Sequence, residues 1–369
     1  MNDLYAYDST DQVTGVIYGS GRVVGYQYDP LGNLTQKVDN GTAATYTANS
    51  LNQYTFINSQ ALSYDAKGNL LQRPGWAYTW DAHNRLRSAA PASPQEGSLR
   101  LTFSYDGRNR CAIRRTYTWT EGAWQWSTTL YLTYSDWNLL EERDSEGTLA
   151  AAYVHGPEID DVIARLTPTS TIYYHADAQH STVAVTDAQG DVLERYTYDI
   201  FGLPTVRDGA SYATLTATAV GNRLLFQGRE WLAEVKLNDH RNRLYSPEMH
   251  RWINRDPIQE YGGINLYGFV ENNPISKSDP SGNFTWLLPV CGTVAAVIAI
   301  GYVGYTVWEI FGGPAPEPTP AQVFAINNAA STQPTRAECQ GLCDLAFGPG
   351  GAYPDPGNRS GCRRGCPPL

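Results

Sequence analysis

Over roughly residues 1–205, aromatic positions alternate with Thr, Ser and small polar residues, and each short run ends in an Asp followed by Gly or Asn. A period of two puts one face of a strand against a core. The Asp side chain starts a turn, and a Gly or Asn three to four residues later tolerates the positive φ that closes it. The unit stands at Tyr26-Gln27-Tyr28-Asp29-Pro30-Leu31-Gly32-Asn33-Leu34. It returns at Tyr64-Asp65 with Gly68-Asn69-Leu70, at Trp80-Asp81 with Asn84-Arg85-Leu86, and at Tyr105-Asp106 with Asn109-Arg110. Looser copies are Tyr5-Ala6-Tyr7-Asp8, Tyr134-Ser135-Asp136 and His175-Ala176-Asp177, and Tyr196-Thr197-Tyr198-Asp199-Ile200-Phe201-Gly202 closes the series. Each unit predicts a β-hairpin. One hairpin is marginal in water, so neighbours must pair into a continuous sheet. The plainer alternative is a β-sandwich with several Tyr-Asp turns, and the number of copies argues against it. The Asp and Asn residues of the repeat are read as turn formers, not as catalytic groups.

The pattern changes at residue 206 and again after Gly282. Phe284 to Trp308 is a run of 25 residues without a charge. As a helix it would span about 37 Å, against a hydrocarbon core of about 30 Å. Trp286 at one end, and Tyr305 with Trp308 at the other, suit membrane interfaces, and Pro289 suits a first helical turn. The expectation is a membrane-spanning or membrane-inserting helix over 284–311. The alternative is a hydrophobic peptide buried in the β structure or a helix docked on it. Residues 312–335 begin with Gly312-Gly313-Pro314-Ala315-Pro316-Glu317-Pro318-Thr319-Pro320, a stiff, extended linker. In 336–369, Cys339 with Cys343 and Cys362 with Cys366 each stand at i, i+4, which predicts a small helical hairpin closed by two disulfides. Zinc is the rival, but the spacing is wider than the usual knuckle and no His lies nearby. Disulfides imply an oxidising compartment. Cys111 and Cys291 are expected to be free and buried.

Composition sharpens this picture. Tyr (25) and Trp (10) far outnumber Phe (9) and Met (2), and with 34 Gly and 17% charged residues this means many short strands and tight turns. The net charge of -10 and pI near 5.1 leave no basic patch for phosphate backbones, so nucleic acid is not an expected partner. No cofactor or metal is expected. Met1-Asn2-Asp3-Leu4 lacks a basic region and an apolar run, so no signal peptide is read, and the chain starting within a repeat suggests a fragment or an orphan cassette.

The most specific stretch is Asn242 to Gly282. It holds Arg243-Leu244-Tyr245-Ser246-Pro247-Glu248, Arg251-Trp252-Ile253-Asn254-Arg255-Asp256-Pro257-Ile258 and Gly262-Gly263-Ile264-Asn265-Leu266-Tyr267. Asn272-Asn273-Pro274 and Asp279-Pro280-Ser281-Gly282 follow. The Asp-Pro and Asn-Pro steps stiffen irregular turns, Gly262-Gly263 permits a reversal, and Trp252, Tyr245, Leu266, Tyr267 and Phe269 are apolar anchors. Together with the hairpins, this resembles the RHS-repeat (YD-repeat) family and its RHS-associated core. The resemblance implies a mainly β fold, with repeated antiparallel hairpins in a curled or partial β-shell over 1–205. A plug over 206–283 follows, and further repeats or a shell partner protein would complete the wall.

In that family the core can cut the chain just after its Asp-Pro-x-Gly-Leu motif as an aspartic-type self-protease. Such chemistry needs two carboxylates sharing a proton, one to activate water and one to polarise the scissile carbonyl. The resemblance makes Asp256 the first catalytic candidate, with Arg255 beside it as a tuning or orienting group and Asp279 as the second carboxylate. The cut would fall beside Asn283, between the Gly282-Asn283 pair and Phe284. Gln259 stands where the family has Gly, and Asn283 where it has Leu; the alternative is that both Asp residues only cap turns. Family tails are often toxins. This tail has no His and only Glu309, Glu317, Glu338, Asp344 and Asp355 as acids, which excludes familiar nuclease, deaminase and ADP-ribosyl transferase constellations and favours membrane activity or anchoring. A second reading is a non-enzymatic cell-surface adhesion protein whose exposed Tyr and Trp bind carbohydrate. Either reading places the protein at a cell surface, on a membrane or outside the cell.

Overall fold

The computed structural model describes residues 3–283 and the short strand Trp286–Leu287. Twenty-one strands, from Leu4–Tyr7 to Pro204–Asp208, follow one another as an antiparallel meander. They make a seven-stranded and a fourteen-stranded sheet in strict chain order, and among the described residues no strand pairing closes either into a barrel. The expectation of a mainly β, hairpin-built fold over 1–205 is met. No α-helix occurs among the described residues, and none of their helices is long and apolar enough to cross a membrane. Within the expected hydrophobic helix over 284–311, the two described residues, Trp286–Leu287, form a strand paired with Lys277–Ser278 instead of a helical turn; the rest of that run, the linker and the Cys339/Cys343/Cys362/Cys366 hairpin lie outside the described residues.

The repeat is built on one hydrogen-bond pattern. At Asp29, Oδ1 accepts the backbone N–H of Leu31 and of Asn33, each at 2.9 Å. The backbone closes the turn from Asp29 N to the Asn33 carbonyl and from Gly32 N to the Asp29 carbonyl. Asp8, Asp65, Asp81, Asp106, Asp144, Asp177, Asp187 and Asp199 accept the same i+2 and i+4 N–H groups. In every one the residue at i+3 has positive φ, from His180 at 61° to Gly68 and Gly190 at 87°. That is why Gly or Asn recurs there. The loose copy at Tyr134-Ser135-Asp136 departs from this: Ser135 pairs directly with Asn138, and Asp136 itself takes positive φ in a tight two-residue reversal.

The residue before the turn Asp explains why Tyr and Trp displace Phe. Tyr28 Oη donates to the Val13 carbonyl at 2.9 Å, Trp80 Nε1 to Leu70 at 2.7 Å, and Tyr105 Oη to Leu86 at 2.9 Å. Tyr198 reaches Thr182 at 2.6 Å, and Tyr134, although it precedes no such turn Asp, likewise reaches Cys111 at 3.0 Å. Each acceptor lies five residues after an earlier turn Asp, so the aromatic packs on the core and its polar tip staples two hairpins together. Phe supplies the packing without the staple. Tyr105→Phe should therefore cost about 1 kcal/mol, measured as a lower denaturant midpoint.

After the last hairpin, four short strands form a separate antiparallel sheet: Glu230–Leu232, Leu237–Asp239, Leu244–Ser246 and Arg251–Trp252. Leu232 and Leu237 of these strands, with Val235 and Ile253 next to them in the chain, join one core with Leu70, Leu86, Leu101 and Phe201 of the hairpins. Tyr245, Trp252 and Phe269 pack ring on ring, with Tyr245 and Phe269 stacked at 3.9 Å, and Tyr267 is equally buried; Leu266 is only half-buried. Ion pairs also tie this region to the hairpin strands, from Arg73 to Glu248 at 2.8 Å and from Arg114 to Glu230 at 2.5 Å. A second compact unit is represented among the described residues by the antiparallel pair Lys277–Ser278 with Trp286–Leu287.

Candidate functional site

Arg243 lies at the centre of the site. It enters the strand Leu244–Ser246, and its guanidinium lies 4.2 Å over the Trp252 ring, buried. Nη1 pairs with Asp256 Oδ2 at 2.7 Å, and Nη2 pairs with Asp279 Oδ2 at 3.0 Å. The remaining Nε donates to the Gly282 carbonyl. One planar fork thus holds both sequence-predicted carboxylates and the backbone beside the expected cut.

The segment that would be cut is fixed on both sides. Asp279 Oδ1 accepts the Asn283 N–H at 3.1 Å and the Ser281 hydroxyl at 3.1 Å. Asp256 Oδ1 accepts the Ile258 N–H at 2.9 Å, which aims its other oxygen inward. A Cβ added to Gly262 would lie 2.5 Å from Asp256 Oδ2 and 3.2 Å from the Asn283 carbonyl oxygen. The carboxyl of Asp256 and the carbonyl of Asn283 therefore converge on the space that Gly262 leaves. Gly262→Ala fills that space and is expected to slow any reaction at Asn283 by about a hundredfold, scored as fragment formation over time.

Burial makes both carboxyls weaker acids than usual. Burial raises Asp256 to about 6; Arg243 and the Ile258 N–H oppose this, and the neighbouring Asp279 charge adds to it. Burial raises Asp279 as well, against the pull of Arg243, Ser281 and Asn283. Burial also lowers Arg243, offset by its two acids. One cation facing two anions leaves room for one proton between them.

The structure brings Asp256, Asp279, Gly282 and Asn283 together. Arg255 points elsewhere: it is exposed, with its Cβ beside Gly68, and the guanidinium on Asp256 belongs to Arg243. Arg243 was legible only as part of a motif. Gln259, at the position of a family Gly, has φ 59°, the left-handed region that Gly enters at little cost. Phe284 and the four tail cysteines lie outside the described residues, and Cys111 is free and buried as expected.

Comparison with known proteins places the chain. Residues 1–275 match the Teneurin YD-shell family. The chain belongs to that family. YD-shell relatives include the tRNA3(Ser)-specific nuclease WapA of Bacillus spizizenii, 27% identical over 297 residues, covering 78% of this chain and 12% of the relative. Double-stranded DNA deaminase toxin A of Burkholderia cenocepacia is 25% identical and covers 70% of this chain and 19% of its own length. Toxin subunit YenC1 of Yersinia entomophaga is 26% identical, with 70% and 28% covered. This YD shell thus spans only a minor part of each relative's length. Among solved structures, the TcdB2-TccC3 complex aligns with TM-score 0.43 at 18% identity, over 76% of this chain and 18% of that one.

Proposed function

We propose that this YD-shell chain forms wall and plug of a toxin-type shell and hydrolyses its own backbone after Asn283, detaching the segment that starts at Phe284. The observation that carries the reading is the meeting of the Asp256 carboxyl with the Asn283 carbonyl at Gly262, while Arg243 and Asp279 hold the adjoining backbone. In the reaction, protonated Asp256 donates to the Asn283 carbonyl oxygen. Asp279, in its ionised form beside Arg243, takes a proton from the attacking water as the water's oxygen bonds to the carbonyl carbon. Collapse breaks the C–N bond, the proton passes to the Phe284 nitrogen, and the products are a carboxyl-terminal Asn283 and a free amine. Each molecule reacts once.

The detached segment opens with the uncharged run 284–308, and its predicted chemistry is membrane insertion or anchoring rather than catalysis on nucleic acid. The toxin names of the relatives support a protein that acts outside the cell that makes it, with further repeats or a partner protein around the shell. The pH dependence tests the mechanism. Asp256 is protonated below about 6, so the cleavage rate should fall roughly tenfold per pH unit above that value. Initial rates from pH 5 to 9 check this, and a flat profile would exclude Asp256 as the proton donor. Asp279→Asn should lower the plateau rate, since no carboxylate is then left to activate water.

A further inference from the structure

The segment before the cut is gripped by more than the two acids and Arg243. His240 Nδ1 bonds the Asp279 carbonyl at 2.9 Å, and since a carbonyl only accepts, Nδ1 carries the proton. Arg241 Nη1 donates to the Pro280 carbonyl at 2.5 Å. Asn242 donates to the Ser281 carbonyl twice, from Nδ2 at 3.0 Å and from its backbone N–H at 3.3 Å. Arg243 Nε then takes the Gly282 carbonyl. Four consecutive residues meet four consecutive carbonyls in the same order. A β-ladder binds neighbours through backbone alone and alternates direction; here side chains do most of the work, which the turn at Arg241, with φ 73°, makes possible.

The wall supports this row from behind. Arg229 Nη1 adds a second donor to the Pro280 carbonyl at 3.1 Å. Arg229 and Arg241 both pair with Asp160 Oδ1, at 2.5 and 2.7 Å. Asp160 is buried in the connection between the strands Leu149–His155 and Val162–Leu166, far from both carboxylates in sequence. Pro280 has no N–H, so its carbonyl is the one backbone group by which it can be held. It receives two guanidinium donors aligned by one carboxylate.

We infer that His240, Arg241 and Asn242, backed by Arg229 and Asp160, form a carbonyl ladder that sets the register of the segment and selects the bond after Asn283. The inference rests on the self-cleavage reading and adds positioning residues to it. A slip by one residue would present a different carbonyl to Asp256 and would break the whole row at once. With the ladder intact, one bond is in place. With a rung removed, the segment keeps its chemistry and loses its register.

The test compares wild type, Arg241→Met, Arg241→Lys and Asp256→Asn by intact mass over time at pH 5 and pH 7, with thermal midpoints recorded. Arg229 still pairs with Asp160 in both Arg241 variants, so the wall contact survives. Arg241→Met should cut about tenfold more slowly and give extra fragments from bonds beside Asn283, with an unchanged ratio between the two pH values. Arg241→Lys should restore the single cut. If Arg241→Met cuts at the same bond and within twofold of the wild-type rate, while Asp256→Asn is inert, the ladder is wrong and the self-cleavage reading stands. If Arg241→Met and Arg241→Lys slow equally, with one cut and a matching fall in thermal midpoint, Arg241 is merely structural and the ladder is again wrong. If the wild type does not cut at all, both fall together.

Discussion

Arg243→Met is expected to abolish cleavage and to destabilise the fold by about 3–5 kcal/mol. The guanidinium neutralises two buried carboxylates and donates to the Gly282 carbonyl. Its loss removes the one guanidinium that bridges Asp256 and Asp279, and binding a proton relieves the repulsion between the two carboxylates. The sign of the pH effect follows. Both acids already sit above their usual range, and without Arg243 they rise further. The folded variant then holds protons that the unfolded chain has released, so its stability falls as pH rises through and beyond the ordinary carboxylate range. Denaturant unfolding at pH 5 and pH 8 should show the larger loss at pH 8. Arg243→Lys should not restore activity, because a point charge cannot reach both carboxylates and the carbonyl with one planar fork.

Glu230→Gln should cost roughly 3 kcal/mol at neutral pH through a different contact. Burial alone would raise Glu230, but Arg114 at 2.5 Å and Arg223 at 2.7 Å hold it down to about 2. Arg223 also pairs with Glu142, whose Oε1 accepts the Tyr153 hydroxyl at 3.0 Å, so the strand Glu230–Leu232 is tied to the hairpin strands by charge. A depressed carboxylate stabilises the fold above its unfolded value near 4.5, and that contribution disappears as pH falls from 4.5 toward 2. The variant should therefore lose stability at pH 7 and show a flatter acid limb in urea unfolding. An unchanged midpoint at pH 7 would mean that these ion pairs do not hold Glu230–Leu232 to the hairpin strands.

Much of this architecture was legible because its rules are local. An Asp that caps its own turn, a residue at i+3 with positive φ and an aromatic with a polar tip lie within six residues of one another, so Tyr28-Asp29 and Tyr105-Asp106 declare themselves in sequence. Asp256 and Asp279 were legible only through the family motif that contains them. Arg243 was missed because its role is to join residues 13 and 36 positions away, and neighbourhood in sequence favoured Arg255 instead. The same holds for the pairs of Arg229 and Arg241 with Asp160, and for Arg114 with Glu230, whose partners lie 69, 81 and 116 positions apart. Tyr134-Ser135-Asp136 shows the opposite failure, a motif copy whose shorter hairpin removes the turn it advertises.

The central claim is that Asp256 cuts the chain beside Asn283, and intact mass tests it most directly. Purified wild type and Asp256→Asn are incubated near pH 5.5 and weighed under non-reducing conditions. The account predicts two fragments from the wild type, with masses that place the break after Asn283, and one species of 40.7 kDa from the variant. A wild type that stays whole, or a variant that splits at the same bond, would contradict it and leave Asp256 as a turn residue clamped by Arg243.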